Sequence, residues 1–341
     1  MTAHSLNARQ AAALPYVRAW LLGVAALIFC MVIVGGATRL TDSGLSITEW
    51  KPLLGAIPPL SEAHWLEAFQ KYQQIPEYQL LNKGMSLSDF KFIYWWEWSH
   101  RFLGRVIGLA FFLPFAYFAV TGALSRKTAV QCGVLFVLGG LQGALGWYMV
   151  ASGLVDRVDV SQYRLAAHLS LATFIYGAIL WVAFGLGRSR HAPQGAREWC
   201  ALLITTLVLL QIAAGGFVAG LDAGFGYNTW PGIDGALVPT GLFTATPWWR
   251  NMFENALTVQ FNHRMLAYLI AVVAVAQAYV VRTPASRMLV AAVLLQIVLG
   301  IWTLLTVVPL WLGLAHQGGA LLVFAAAIWN LHRTLSPVER R

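Results

Sequence analysis

Charge is scarce in this chain. Charged residues make up 11% of its 341 residues and apolar ones 58%, whereas soluble domains carry roughly 25% charged residues. That excludes an ordinary soluble globule and points to a membrane protein. Cysteine is scarce too. Cys30, Cys132 and Cys200 lie in apolar stretches with no metal-ligand spacing and no disulfide framework. They read as small buried hydrophobes. No cysteine occurs between Arg39 and Arg101. No small-residue cleavage site follows the first apolar run, so that run is expected to remain as a span. No acidic or basic residue falls in the middle of an apolar stretch, which argues against an ion-coupled transporter.

What is present is apolar length. A span needs roughly 20 apolar residues. The sequence predicts spans over 18–39, from near His100 to before Arg126, and over 129–150, 164–185, 199–220 and 261–281. The charge-free stretch 287–333 is too long for one helix, and Pro309 is expected to break it into a hairpin of two spans. Two long polar segments interrupt the series. The first, 39–101, holds Pro52, Pro58, Pro59, Pro76 and a helix-like piece over 61–72; the second, 221–260, is rich in Gly, Trp and Pro. Eight spans put both termini on one side. Segments on that side would carry 12 basic residues, Arg190, Arg340 and Arg341 among them, against Glu198 and Glu339. The net charge of +9 then divides as +10 on that side and −1 on the other. Lys and Arg collect in cytoplasmic loops, so both termini are expected to be cytoplasmic. The same asymmetry explains the basic balance without a nucleic-acid partner.

The second half echoes the first. Gly35-Gly36 matches Gly215-Gly216, and His100-Arg101 matches His263-Arg264. The stretch 141–147 matches 295–302 with one residue inserted, and the run ending at His168 matches the run ending at His316. The expected fold is an all-α integral membrane protein whose eight transmembrane helices form two repeated four-helix bundles, residues 1–187 and 188–341. Repeats of this kind often build a site from related parts.

Each of the four repeated histidines is expected to open an even-numbered span, so all four rings would lie near the outer surface. Within each half, opposed histidines suit axial ligation of a heme iron. The bland alternative is a set of hydrogen-bonded polar residues, but polar groups in membrane helices are costly. No second His, Cys or carboxylate stands at i+3 or i+4 to build a zinc or copper site. His4, His64, His191 and His332 are expected at the solvated surface. Arg101 and Arg264 suit the carboxylates of a porphyrin, or anchor helix ends. Trp95, Trp96, Trp98, Trp248, Trp249 and Phe253 read either as cover for a porphyrin face or as an interfacial belt.

One difference between the halves stands out. Glu97 precedes His100 by three residues, and Gln260 precedes His263 by three. In a helix such pairs share a face. A carboxylate there can accept a proton, orient water or stabilise positive charge; an amide cannot take up a proton in this way. The first half therefore reads as the catalytic one and the second as the holder of a redox cofactor. The alternative is that Glu97 merely caps span 2.

Together these stretches resemble the heme A synthase family, in its proteobacterial and mitochondrial branch. The resemblance is carried by residues 35–46, by Glu49-Trp50-Lys51-Pro52, by Glu97-Trp98-Ser99-His100-Arg101, by residues 220–224, by Asn228-Thr229-Trp230-Pro231 and by Asn262-His263-Arg264. It covers nearly the whole chain. It implies an oxidoreductase that converts the C8 methyl of heme O to the formyl group of heme A, needed by cytochrome oxidase, through successive hydroxylations with oxygen from water. It implies that His100 and His168 ligate the substrate heme, that His263 and His316 ligate a heme B cofactor, and that Glu97 is the essential glutamate. Electrons would leave through heme B to an acceptor the sequence does not name. The Gram-positive branch carries a cysteine pair in the first outer loop; its absence here leaves the electron exit open. Pathway logic allows a complex with heme O synthase or an oxidase assembly factor, and self-association into a homo-oligomer. The N-terminus is short for a transit peptide, which favours a bacterial inner membrane. Two other readings use the same histidines: a diheme cytochrome b that only relays electrons, and a heme carrier without turnover.

Overall fold

The computed structural model describes residues 7–52, 54–188 and 191–336. His4, Arg190, Glu339, Arg340 and Arg341 lie outside the described residues. Helix α1 (Ala8–Leu40) begins at a capping box between Asn7 and Gln10. The polar segment after it holds α2 (Glu62–Tyr72), capped by Ser61, and the short α3 (Pro76–Leu80). Then come α4 (Leu87–Val120), α5 (Arg126–Val150) and α6 (Gln162–Gly185). The second half holds α7 (Ala196–Gly220), the single-turn α8 (Ala223–Gly226) and α9 (Asn251–Glu254), then α10 (Ala256–Val281), α11 (Pro284–Leu305) and α12 (Leu310–Thr334). Eight of these helices are long and apolar enough to cross a membrane: α1, α4, α5, α6, α7, α10, α11 and α12. The chain is thus an all-α, multi-pass membrane protein. The expected break at Pro309 is there, with Pro309 as the N-cap of α12.

Three expectations about helix ends are corrected. Helix α1 starts at Ala8, ten residues before the expected span over 18–39. The second span does not start near His100. Its helix starts thirteen residues earlier, at a capping box made by Ser86 and Asp89. Glu97 is therefore not a cap. The extra turns stand because their apolar side chains have something to cover. Phe90 and Tyr94 of α4 pack against Phe69 and Trp65 of α2, with ring centroids 4.9 and 5.0 Å apart, and Tyr72 is fully buried among them. Likewise α10 starts before residue 261, at Ala256, where the Asn255 side chain accepts from the backbone of Leu257 and Thr258.

The ends of the helices meet as an even number of crossings requires. The Arg18 guanidinium donates to the Leu186 carbonyl at 2.8 Å, Gln10 reaches the Leu124 carbonyl, and His191 N–H donates to the Leu335 carbonyl. Helix α1 packs on α4, α6 and α12, and α7 packs on α10, α12 and α6; α5 lies against α6 and α4, and α11 against α12 and α10. One apolar core runs through both halves, from Leu21 and Ile28 of α1 to Ile204 and Val208 of α7 and Leu321 and Phe324 of α12. At the opposite face, Arg39 joins the halves. It pairs with Asp222 at 2.9 Å and with Asp42 at 3.2 Å.

Two side chains lie elsewhere than expected. His332 is fully buried, beside Trp181, Phe184 and Trp329, because its turn of α12 faces the helix bundle; His64 is exposed as expected. Cys132 is buried, but Cys30 is exposed on the outer flank of α1. No cysteine is bonded to another among the described residues.

Candidate functional site

The four repeated histidines are brought together in pairs, deeper than helix mouths. His168, His263 and His316 lie six or seven residues into their helices, and His100 thirteen. Each ring rests on a glycine of a neighbouring helix. A Cβ added to Gly35 of α1 would lie 2.9 Å from His100 Nε2. The corresponding approach to His168 from Gly146 of α5 is 2.9 Å, to His263 from Gly215 of α7 is 3.3 Å, and to His316 from Gly300 of α11 is 2.7 Å. Only a residue without a side chain leaves these rings their room. The second glycine of each pair serves the other half: a Cβ at Gly36 would strike Gln317 of α12, and one at Gly216 would meet the Ala166 backbone of α6 at 3.0 Å. The Gly-Gly repeat thus seats a histidine with its first member and admits a helix of the opposite half with its second.

Three histidines are also held by glutamines that sequence reasoning gave no role. The Gln142 amide nitrogen lies 3.1 Å from His168 Nδ1 and donates to the His168 carbonyl at 3.0 Å. Gln211 does the same to His263 at 3.1 and 3.0 Å, and Gln296 to His316 at 3.1 and 2.7 Å. Each glutamine stands one turn before the glycine that seats the same ring. A polar residue four places before a glycine in spans 3, 5 and 7 was the available signal.

In the second half the rings of His263 and His316 have centroids 6.5 Å apart and planes inclined at 73°. A metal–imidazole bond is about 2 Å long, so two rings at this separation could hold one metal ion between them. Among the described residues no group of three or more His, Cys, Asp or Glu is gathered as a site for a bare metal ion. Paired imidazoles in an apolar bundle suit a macrocycle that brings its own equatorial ligands.

Glu97 does not turn to His100, its expected neighbour. It is 2% exposed and faces the loop after α1. One oxygen accepts from Ser46 Oγ and from the Ile47 N–H, both at 2.7 Å. The other accepts from Arg101 Nε at 3.0 Å and Nη2 at 2.5 Å. Arg101 continues to the carbonyls of Glu49 and Ile47, at 3.0 and 2.7 Å, and lies over the ring of Trp147. In the second half Gln260 is similarly buried, with its amide nitrogen toward the Tyr227 carbonyl and its oxygen without a partner. Arg264 donates to the carbonyls of Tyr227 at 3.0 Å and Gly232 at 3.4 Å, while its Nε has no partner. Of the aromatic residues, Trp98 stacks on Phe102 at 4.8 Å and Phe253 meets Phe217 at 5.3 Å, whereas Trp248 and Trp249 stay largely exposed.

Within the polar segment between α1 and α4, Glu77 of α3 is 5% exposed, with one carboxyl oxygen unpartnered. Burial pushes its carboxyl up to about 8. At the surface nearby, Lys71 and Lys51 hold the Glu49 carboxyl below its usual range.

Fold and site together define a class: an eight-span membrane protein that holds two pairs of histidines, each ring on a glycine. Known sequences narrow the class. Residues 18–328 match the COX15-CtaA family, described as cytochrome oxidase assembly proteins, and the chain belongs to that family. Relatives called heme A synthase are similar along most of their length. That of Parvibaculum lavamentivorans is 57% identical over 320 residues, covering 92% of this chain and 93% of its own. That of Azorhizobium caulinodans is 58% identical over 321 residues, with 92% of each covered. That of Bradyrhizobium diazoefficiens is 54% identical over 334 residues, covering 94% and 93%.

Proposed function

We propose that this protein is a heme A synthase, a membrane oxidoreductase that oxidises the C8 methyl of heme O to a formyl group with oxygen from water. The observation that carries the reading is a matched pair of histidine sites that differ in one ionisable group, Glu97 against Gln260. His100 and His168 would hold the substrate heme O, and His263 and His316 a resident heme B. When bound, that heme supplies one-electron transfer. The two halves, 1–187 and 188–341, are read as repeats; their matching helix neighbours support this.

Glu97 has its lone pairs committed to Ser46, Ile47 and Arg101. The arrangement favours a fixed negative charge beside the reacting group, which stabilises developing positive charge and orients water through its neighbours. Of the two arginines, Arg264 is the better propionate partner, since its Nε is unused. Arg101 has most of its donors occupied, and its first task is to hold Glu97 and the loop at 47–49. The excess of Lys and Arg on the side of the termini supports reading both termini as cytoplasmic, with a bacterial inner membrane as the proposed location. Partners follow from the reaction: a source of heme O, an electron acceptor, and an oxidase or assembly factor that takes the product.

The test is chromatography of the hemes extracted from protein purified out of cells that also make heme O. Heme B together with heme O, heme A or a hydroxylated intermediate is the expected result. Heme B alone at two per chain would overturn the assignment and leave an electron relay.

A further inference from the structure

Three of the four candidate ligands are gripped by a glutamine and the fourth is not. Gln142, Gln211 and Gln296 each stand one turn before the glycine that seats a histidine ring. Each amide nitrogen donates to that histidine's carbonyl and lies against its ring, 3.1 Å from Nδ1 and, for Gln142 and Gln211, 3.3 and 3.2 Å from Nε2. The residue one turn before Gly35 is Met31. Its thioether offers no N–H. The Met31 Cε lies 3.4 Å from the place a Cβ on Gly104 would take, so it packs on α4 one turn beyond His100. Among the described residues, the side-chain hydrogen bonds that hold His168, His263 and His316 have no counterpart at His100.

We infer that His100 is the releasable ligand of the four, and that Met31 makes the N-terminal site the one that exchanges its porphyrin. The inference rests on the reading of the histidines as heme-iron ligands. Each glutamine amide ties down the histidine's own carbonyl and so fixes the backbone from which the ring projects; groups that orient a ligating histidine typically contribute about 10–100-fold in affinity. A flexible methionine in that place fills space and lets the ring swing. A substrate porphyrin must leave after each turnover, whereas a cofactor must stay. The single unclamped ring falls in the half that also carries Glu97. Met31 and Glu97 sit on different helices and differ from their counterparts independently. Met31 is a positioning residue: it acts on the porphyrin through His100.

The experiment is transfer of heme from the full-length, heme-loaded protein in detergent to excess apomyoglobin, followed by absorbance. The wild type is expected to lose heme in a fast and a slow phase. Gln211→Met should speed the slow phase by about 10–100-fold. Met31→Gln should slow the fast phase to a similar degree and strengthen the low-spin signature of that site. If Gln211→Met fails to accumulate, Gln296→Met reads the same grip on the partner ring. His168→Ala and His263→Ala should each abolish one phase. If neither does, the ligand assignment falls and this inference with it. If both do, and the exchanges at Met31 and Gln211 move nothing, the inference alone is overturned.

Discussion

Ile47 and Tyr227 hold matching places in the loops after α1 and α7. Each gives its carbonyl to an arginine that directly follows a histidine, Arg101 in one half and Arg264 in the other. One turn before each arginine the halves part. Glu97 completes an ion pair and accepts two further hydrogen bonds, while Gln260 leaves its oxygen unpartnered. The frame is the same and the charge is not. A frame this similar shows that the arginine's bond to the loop carbonyl forms without a carboxylate; in the first half Glu97 adds an ion pair and two loop bonds to it.

The sharpest way to break the comparison is to erase it. Glu97→Gln gives the first half the side chain of the second. Heme A formation is expected to fall by about 10²–10³-fold, in the range of a lost preorganised electrostatic group, while extracted heme B is unchanged. Full activity would show that the difference between the halves is idle. Next in size is Arg101→Ala. It strands a buried carboxylate, and breaking a buried pair costs about 3–5 kcal/mol. Arg264→Ala removes only bonds to carbonyls and should cost about 2 kcal/mol. Denaturation in detergent compares the two; equal losses would mean that Glu97 adds nothing to the frame.

The glycines come third. Alanine at Gly300 or Gly146 would push on the rings of His316 and His168, at 2.7 and 2.9 Å, and alanine at Gly215 would push less on His263, at 3.3 Å. A ring is the free end of a side chain, so it should move before the backbone does. Heme content should fall most in Gly300→Ala and least in Gly215→Ala, with helix stability unchanged or slightly higher, since alanine favours helix by up to about 1 kcal/mol. Loss of fold in place of loss of heme would contradict this order.

The smallest effect concerns the polar segment between α1 and α4, whose helices α2 and α3 are longer than the single turns α8 and α9 of the second half. The Glu77 carboxyl is raised to about 8 by burial, so the folded protein holds a proton that the unfolded chain gives up above its ordinary carboxylate range. Its contribution to stability is therefore greatest in acid and declines as pH rises toward 8. Glu77→Gln should flatten that decline. Melting curves at pH 5 and pH 8 should show the variant gaining on the wild type only at pH 8.

Much of the fold was legible because leaving water is a property of composition. The eight apolar runs, the break at Pro309 and the helix over 62–72 follow from length, proline and capping residues. The start of α4 was not legible, because residues 87–98 mix Asp89, Lys91 and Glu97 with aromatic side chains and do not read as a span. They are helical because α2 covers Phe90 and Tyr94. His332 was misjudged for a related reason: its place near a helix end suggests solvent, and only the packing of Trp181, Phe184 and Trp329 closes over it.

The site divides in the same way. By itself the sequence determined which residues could matter, since histidines and glycines recur in register across the two halves and one glutamate stands where its counterpart is a glutamine. It also determined that eight helices leave water, because transfer out of water is summed along the chain. Only the tertiary structure decided that each ring lies on one particular glycine, that three glutamines hold three of the rings, and that Glu97 faces Ser46, Ile47 and Arg101 and turns away from His100. These are contacts between apolar helices. Their choice rests on close steric fit between residues far apart in the chain, and no pattern along a single helix records it.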